Sequence, residues 1–311
     1  MRIFLTGSTG FIGSRLCREL LRRGDQVVAL TRDPRRLGSA AQSTDQRLQV
    51  EAGDPAQPGP WQSRLRGCDA VIALAGEPVM GKRWSADFKR RVLDSRVEGM
   101  NRLGEAIAAL PEAERPRTVI TASAIGYYGD RGAAVCTEDS PPGDDFLAEV
   151  CVAWEDAARK LGALGPRVAS LRIGVVLGEG GGALSKMLPA FRALVGGPLG
   201  SGDQYLSWIH LMDVVGLLLF LLDSEDPRAR GPVNGTAPEP ATMAEFSRVL
   251  ASILHRPAAF RVPAFALKAL LGEAAAVLTG SQRVLPERAR ALGYRFRYPH
   301  LEEALRAAIN G

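Results

Sequence analysis

Cysteine is scarce in this chain and is not arranged for chemistry. Its four cysteines, Cys17, Cys68, Cys136 and Cys151, are scattered and show no CxxC spacing. That pattern excludes a zinc cluster and a disulfide framework, so the expectation is a reduced protein with no metal site. No apolar run is long enough for a membrane. The longest, Val214–Leu222, is broken by Gly216 and falls far short of the ~20 residues a span needs. No dense Lys/Arg tract with interleaved aromatics occurs, so neither nucleic acid nor a membrane is an expected partner. Internal repeats and low-complexity segments are absent. No charged-then-apolar leader precedes the first strand, and a cytoplasmic protein is expected.

What is present is ordinary for a globular chain. Of 311 residues, 46% are hydrophobic and 23% charged, with a net charge of +5. That length supports one large core or two modest ones. A modest positive balance suits an anionic ligand.

The chain is organised around Met1–Gly13, MRIFLTGSTGFIG. Arg2–Thr6 is an apolar run of strand length. Gly7, Gly10 and Gly13 follow at a spacing of three. Ile12, Leu16, Cys17, Leu20 and Leu21 then recur at helical spacing, and Gly24 closes the helix. A strand, a glycine turn and a helix in this order make the first half of a dinucleotide-binding unit. Gly7 permits the turn, Gly10 lets the backbone approach a pyrophosphate, and Gly13 lets helix and strand pack closely. The helix N-terminus supplies N–H donors for phosphate.

Gln26–Leu30 reads as the second strand, and Thr31–Pro34 as the turn that selects the cofactor. An acidic residue here suits the ribose 2′-hydroxyl of NAD. Thr31 and Arg32, with Arg35 and Arg36 behind them, suit the 2′-phosphate of NADP, although Asp33 is acidic and close. Further strands are expected at Leu48–Val50, Ala70–Leu74, Thr118–Ala122 and Arg167–Ile173, with a long helix over about 85–110 and another over 146–161. Ala75–Gly76–Glu77–Pro78 follows the fourth strand, where ligands bind in a doubly wound sheet. Ser123, Tyr127 and Tyr128 leave the fifth. Residues 132–144 read as loop, and Glu179–Gly182 as a crossing into a substrate region. Helical patterns dominate thereafter, at Ala183–Leu194, Met212–Leu222, Met243–Leu254, Ala264–Leu278 and Leu301–Ile309. Short returning strands are expected at Ser207–His210 and Val233–Gly235. The expected architecture is therefore α/β, a Rossmann-type doubly wound parallel sheet over residues 1–174. A smaller, mainly helical substrate-side domain follows over 175–311.

Taken together, these residues resemble the NAD(P)-dependent epimerase/dehydratase group of extended short-chain dehydrogenases/reductases. More closely, they resemble its atypical "epimerase family protein" branch, sometimes called YfcH-like. The likeness spans the chain. It rests on Leu5–Gly13 (LTGSTGFIG), Leu74–Pro78 (LAGEP), Ser95–Gly99 (SRVEG), Ser123–Asp130 (SAIGYYGD), Gly174–Leu184, Ser207–Asp213 (SWIHLMD) and a tail over about 257–311. The resemblance implies NADP(H) held by the turn Gly7–Thr9–Gly10–Phe11–Ile12–Gly13, by Thr31 and Arg32, by Leu74, Ala75 and Gly76, by Arg96 and by the backbone near Val175. It also implies a small-molecule substrate pocket between the sheet and the C-terminal part.

One departure matters. Typical members carry a Tyr and, four residues later, a Lys on the helix that here begins Asp145–Phe146–Leu147, and neither occurs there. Arg96 stands where typical relatives carry an Asn. The expected catalytic groups are therefore Ser123, Tyr127 or Tyr128, and Arg96, acting on a substrate oxygen in an oxidoreductase or epimerase. The alternative is a non-catalytic NADP(H)-binding redox sensor or regulatory protein. Monomer and homodimer both fit the sequence.

Overall fold

The computed structural model describes residues 1–40 and 46–310. The strands run β1 (Arg2–Thr6), β2 (Gln26–Thr31), β3 (Leu48–Ala52), β4 (Ala70–Ala73), β5 (Thr118–Ala124), β6 (Val135–Cys136) and β7 (Arg167–Ile173). They continue as β8 (Val175–Leu177), β9 (Tyr205–Leu206), β10 (Trp208–His210), β11 (Gly231–Gly235), β12 (Ala241–Thr242) and β13 (Arg283–Val284). Seven of them form one parallel sheet in the order β11-β7-β5-β4-β1-β2-β3. The order turns back between β1 and β4, so the crevice at their carboxyl ends is the switch point where such sheets bind ligands.

Helices cover both faces, which is why β1 and β4 are apolar without alternation. On one face, α1 (Phe11–Arg23) presents Leu16, Cys17 and Leu20 to Ile3, Leu5 and Ile72. On the other, α2 (Ala86–Ala108) and α3 (Phe146–Leu161) bury Met100, Leu103, Trp154 and Leu161 against Phe4, Val71 and Val119. Ser85 and Asp145 cap α2 and α3, accepting the amides of Phe88 and Ala148, as N-cap residues of these types do.

The chain then forms α4 (Gly182–Arg192), α5 (Leu211–Asp223), α6 (Met243–Leu254), α7 (Ala264–Leu271), α8 (Ala276–Thr279), α9 (Glu287–Ala291) and α10 (Leu301–Asn310). Of these, α5 joins α1 in the sheet's core, and β11 is the sheet's edge strand beside β7. The second half therefore contributes a whole helix and strand to the layered unit. A separate core, with Phe191, Trp208, Phe246, Leu250 and Leu305, holds α4, α6 and α10 together.

Two stretches differ from expectation. The helical pattern over 264–278 is broken at Gly272, which takes φ 64° and leaves α7, a short 3-10 turn and α8. Only a residue without Cβ accepts that backbone at little cost. The loop over 132–144 contains β6, which pairs in parallel with β13. That pairing joins positions about 150 residues apart and has no local signal.

Candidate active site at the switch point

The glycine turn is packed so tightly that side chains are excluded at two of its positions. A Cβ on Gly7, whose φ is 73°, would lie 2.8 Å from the carbonyl carbon of Leu74 and 2.9 Å from the amide of Ala75. On Gly13 it would lie 2.1 Å from the Gly7 carbonyl oxygen. The turn thus seats α1 on β1 and rests against the end of β4. Ala75 is tied there by its amide, which donates to Thr6 Oγ1 at 3.2 Å. Gly10 is exposed and caps α1 with no side-chain hydrogen bond to the first turn. Those first amides remain available to an anion. The cradle therefore fits a dinucleotide pyrophosphate.

Phe11 and Ile12 are partly buried on the sheet core, and Thr9 sits half-buried in the turn. The Phe11 ring explains the glycine run after β8. A Cβ on Gly181 would lie 2.5 Å from that ring, and one on Gly182 2.9 Å from it. The run is thus a seat for Phe11 beside the turn.

At the end of β2, Thr31 is buried and its Oγ1 accepts the amide of Asp33. The Asp33 carboxylate is bonded to Arg35 through Nε at 2.9 Å, and that guanidinium holds its pKa below the usual carboxylate range. The acidic residue is therefore engaged, while Arg32 is exposed and makes no ion pair among the described residues. The donor set suits a 2′-phosphate more than a free ribose hydroxyl.

A cavity of about 750 Å³ lies between the carboxyl ends of β5 and β7, α3 and the C-terminal part. Arg96, Ala124, Gly174 and Val175 line its inner end, and Trp84, Phe146 and Phe265 line its outer part. Arg96 reaches it from α2. Its Nη1 donates to the carbonyls of Glu77 at 3.0 Å and Val92 at 2.9 Å. Its guanidinium lies 5.0 Å over the Trp154 ring and would be only 3.1 Å from a Cβ at Gly76. Gly76 has no side chain, so the cation can rest on the turn after β4. No carboxylate pairs with Arg96 among the described residues. Burial presses its pKa below the usual arginine value, with Cys151 and Glu77 opposing from a distance. An arginine stays charged even so.

The other three candidate catalytic groups are not brought to this cavity. Ala124, not Ser123, faces it. Ser123 is buried and donates to Glu155 Oε1 at 2.6 Å. Glu155 in turn receives Arg172 Nε and Nη2, both at 2.8 Å. Ser123 and Arg172 are register partners on β5 and β7, so their side chains share one face of the sheet. Tyr128 is fully buried, donates to Asn234 Oδ1 at 2.6 Å and accepts from Arg172 Nη1 at 2.9 Å. Burial drives its pKa above the usual phenol value. The Tyr127 ring stacks 3.4 Å from the Arg172 guanidinium and opens on a groove between α3 and β11. Ser123, Tyr127 and Tyr128, expected beside Arg96, do not line the cavity that Arg96 lines. Those three side chains belong to a buried polar network on the Glu155–Arg172 pair.

Sequence reasoning missed the residues that replace them. The face of α3 turned to the cavity carries Leu147, Val150, Cys151 and Trp154. Leu147 and Cys151 stand four apart, the interval of a Tyr–Lys pair. The Cys151 thiol donates to the Ala124 carbonyl at 3.6 Å, and burial pushes its pKa up to about 11, so it is a neutral, weakly reactive wall.

A doubly wound sheet with a glycine cradle at its switch point defines a dinucleotide-binding protein. Residues 3–234 match the NAD dependent epimerase/dehydratase family, and the chain belongs to that family. Residues 262–308 match a domain of unknown function, DUF1731. "Epimerase family protein SDR39U1 homolog, chloroplastic" of Arabidopsis thaliana is 42% identical over 99% of this chain and 87% of the relative. The crystal structure of human epimerase family protein SDR39U1 with NADPH is 36% identical, with a TM-score of 0.86 over 100% of this chain and 99% of that one. A nucleoside-diphosphate sugar epimerase of Corynebacterium glutamicum is 30% identical, with a TM-score of 0.75, over 99% of this chain and 58% of that one. No helix among the described residues is long and apolar enough to cross a membrane.

Proposed function

We propose that the protein is an NADP(H)-dependent oxidoreductase that reduces a carbonyl compound in the cavity between α3 and the C-terminal segment. The observation that carries this reading is Arg96, a guanidinium with no carboxylate partner among the described residues, resting on Gly76 where it lines that cavity. The NADPH in the human relative supports the choice of cofactor, and Thr31 and Arg32 supply the matching turn. NADPH, when bound, supplies a hydride to the carbonyl carbon; the C=O π bond opens, its oxygen takes a proton from solvent, and an alcohol and NADP⁺ result. Arg96 holds the substrate oxygen and stabilises its developing negative charge without giving up a proton. The walls Leu147, Cys151 and Trp154 lower the local dielectric on one side of that oxygen and strengthen the interaction, while the open side of the cavity admits the solvent that supplies the proton. Four buried, unpaired cysteines suit a reducing compartment such as the cytoplasm.

A cavity without a tyrosine among its lining residues also favours a second reading, a non-catalytic NADP(H)-binding sensor. NADPH titration followed by single-turnover oxidation with a panel of carbonyl compounds separates the two. The enzyme reading expects turnover that Arg96→Met lowers by roughly 10²–10³-fold. NADPH binding with no oxidation by any carbonyl would leave the sensor.

A further inference from the structure

The outer part of the cavity is built by elements far apart in sequence. Trp84 precedes α2, Phe146 opens α3, and Phe265 lies on α7 within the segment 262–308. The Trp84 and Phe146 rings meet edge to face, with centroids 5.3 Å apart. Val79, Val150 and Val277 complete the wall. Across from them, α7 lends Phe265, which is 78% exposed, to the lining. Arg83 donates to the carbonyls of Ala269 and Leu270, and Lys89 pairs with Glu273. These contacts fix α7 and the turn after it as a cover.

The charges are as informative as the rings. Besides Arg96 at the inner end, Lys268 is the one other cation lining the cavity among the described residues, and it is exposed. Asp130, Asp145 and Glu273 line it as well. Asp145 is spent on capping α3, and Asp130 accepts the amides of Gly132 and Ser281. A diphosphate would meet three carboxylates against two cations, Arg96 and the rim Lys268, a poor balance for a dianion. An aromatic body would meet two rings set edge to face, an opposing phenylalanine and aliphatic walls.

We propose that the substrate is a small aromatic or alicyclic carbonyl compound without phosphate, gripped by Trp84, Phe146 and the Phe265 cover, with its oxygen toward Arg96. This rests on the carbonyl-reducing reading above for the reaction, but not for the binding preference. It also gives the 262–308 segment a role, that of closing the site over an apolar ligand.

The test uses the whole protein with NADPH bound. Calorimetry compares 2-naphthol, an unreactive probe, with UDP-glucose, and 2-naphthaldehyde is offered as the reducible analogue. The expected result is saturable 2-naphthol binding, weakened about tenfold by Phe265→Ser, with unchanged NADPH affinity and no UDP-glucose binding at about 1 mM. Phe265 is largely exposed, so this variant does not endanger the fold. UDP-glucose binding that displaces 2-naphthol, or 2-naphthol affinity indifferent to Phe265→Ser, would overturn the proposal. Saturable 2-naphthol binding with the Phe265 effect, but without NADPH oxidation by 2-naphthaldehyde, upholds the binding preference and removes the enzyme reading instead.

Discussion

Glu155→Gln is expected to destabilise the fold severely and to leave the cofactor cradle untouched. Arg172 is 2% exposed, and it donates two bonds to the Glu155 carboxylate, both at 2.8 Å. What remains after the substitution is the one neutral amide oxygen it leaves, Tyr128 Oη at 2.9 Å, the Glu138 carbonyl at 3.3 Å and the Tyr127 ring, none of which carries a negative charge. Removing one partner of a buried pair costs about 3–5 kcal/mol, because the surviving charge stays buried. That is a large share of the ~5–15 kcal/mol that holds a typical fold. With a urea slope of about 3 kcal/mol/M, the midpoint should fall by ~1 M or more. Ser123→Ala removes one hydrogen bond to a charged acceptor that keeps its arginine, and should cost about 1.5 kcal/mol. Urea unfolding followed by tryptophan fluorescence measures both, alongside NADPH titration and carbonyl-dependent turnover. An unshifted midpoint in Glu155→Gln would refute the argument. So would a Ser123→Ala protein of normal stability whose turnover collapsed, since Ser123 would then act on substrate.

Other expectations follow from the same geometry. Arg32→Ala should weaken NADPH by about 1.5–3 kcal/mol and leave NADH nearly unchanged; equal wild-type affinities for the two nucleotides would undo the assignment. Gly10→Val should give a folded protein that binds neither nucleotide, because branched carbons occupy the place of the pyrophosphate; calorimetry showing intact binding would make the turn merely structural. His210 is buried at the start of α5, where its Nδ1 accepts the Met212 amide, and burial lowers its pKa from 6.5 to about 4. The unfolded chain therefore takes up a proton below pH 6.5 that the folded chain refuses until about pH 4. Stability from this group is full above pH 6.5 and falls across that window by on the order of 3 kcal/mol. Asp213, whose pKa burial raises, opposes the loss at the acid end. His210→Asn, which can still cap α5, should flatten that limb in thermal melts taken from pH 7 to 4.5.

The parts of the site that were legible in the sequence are those set by local backbone demands. Gly7 at φ 73° and the crowded Gly13 follow from a strand feeding directly into a helix, and the glycines at those positions announce it. The Thr31–Arg32 turn was legible for the same reason. The side to which Ser123 points was not legible, because a sequence shows which end of a strand a residue occupies but not which face the fold will use. Ala124 and Ser123 are neighbours that point to opposite sides. A signal did exist: Arg172 interrupts the apolar run of β7, and a charge there needs a buried partner. The aromatic wall had no such signal. Trp84, Phe146 and Phe265 come together only through the order of the strands and the fold-back of the tail.

Asp213 is fully buried, and its carboxylate accepts the amides of Arg297 at 2.7 Å and Tyr298 at 2.9 Å and the Tyr294 hydroxyl at 3.1 Å. Its helix, α5, lies in the core that also holds α1, yet its partners are made 81 to 85 positions later. At ~5–20 residues per second, the ribosome leaves an interval on the order of 4–17 s in which this carboxylate has no donors. A chain stopped before residue 294 therefore carries an uncompensated charge in its main core. Such a fragment should resist folding even though every strand of the large sheet has been synthesised, and the finished protein should become protease-resistant only once the tail has emerged.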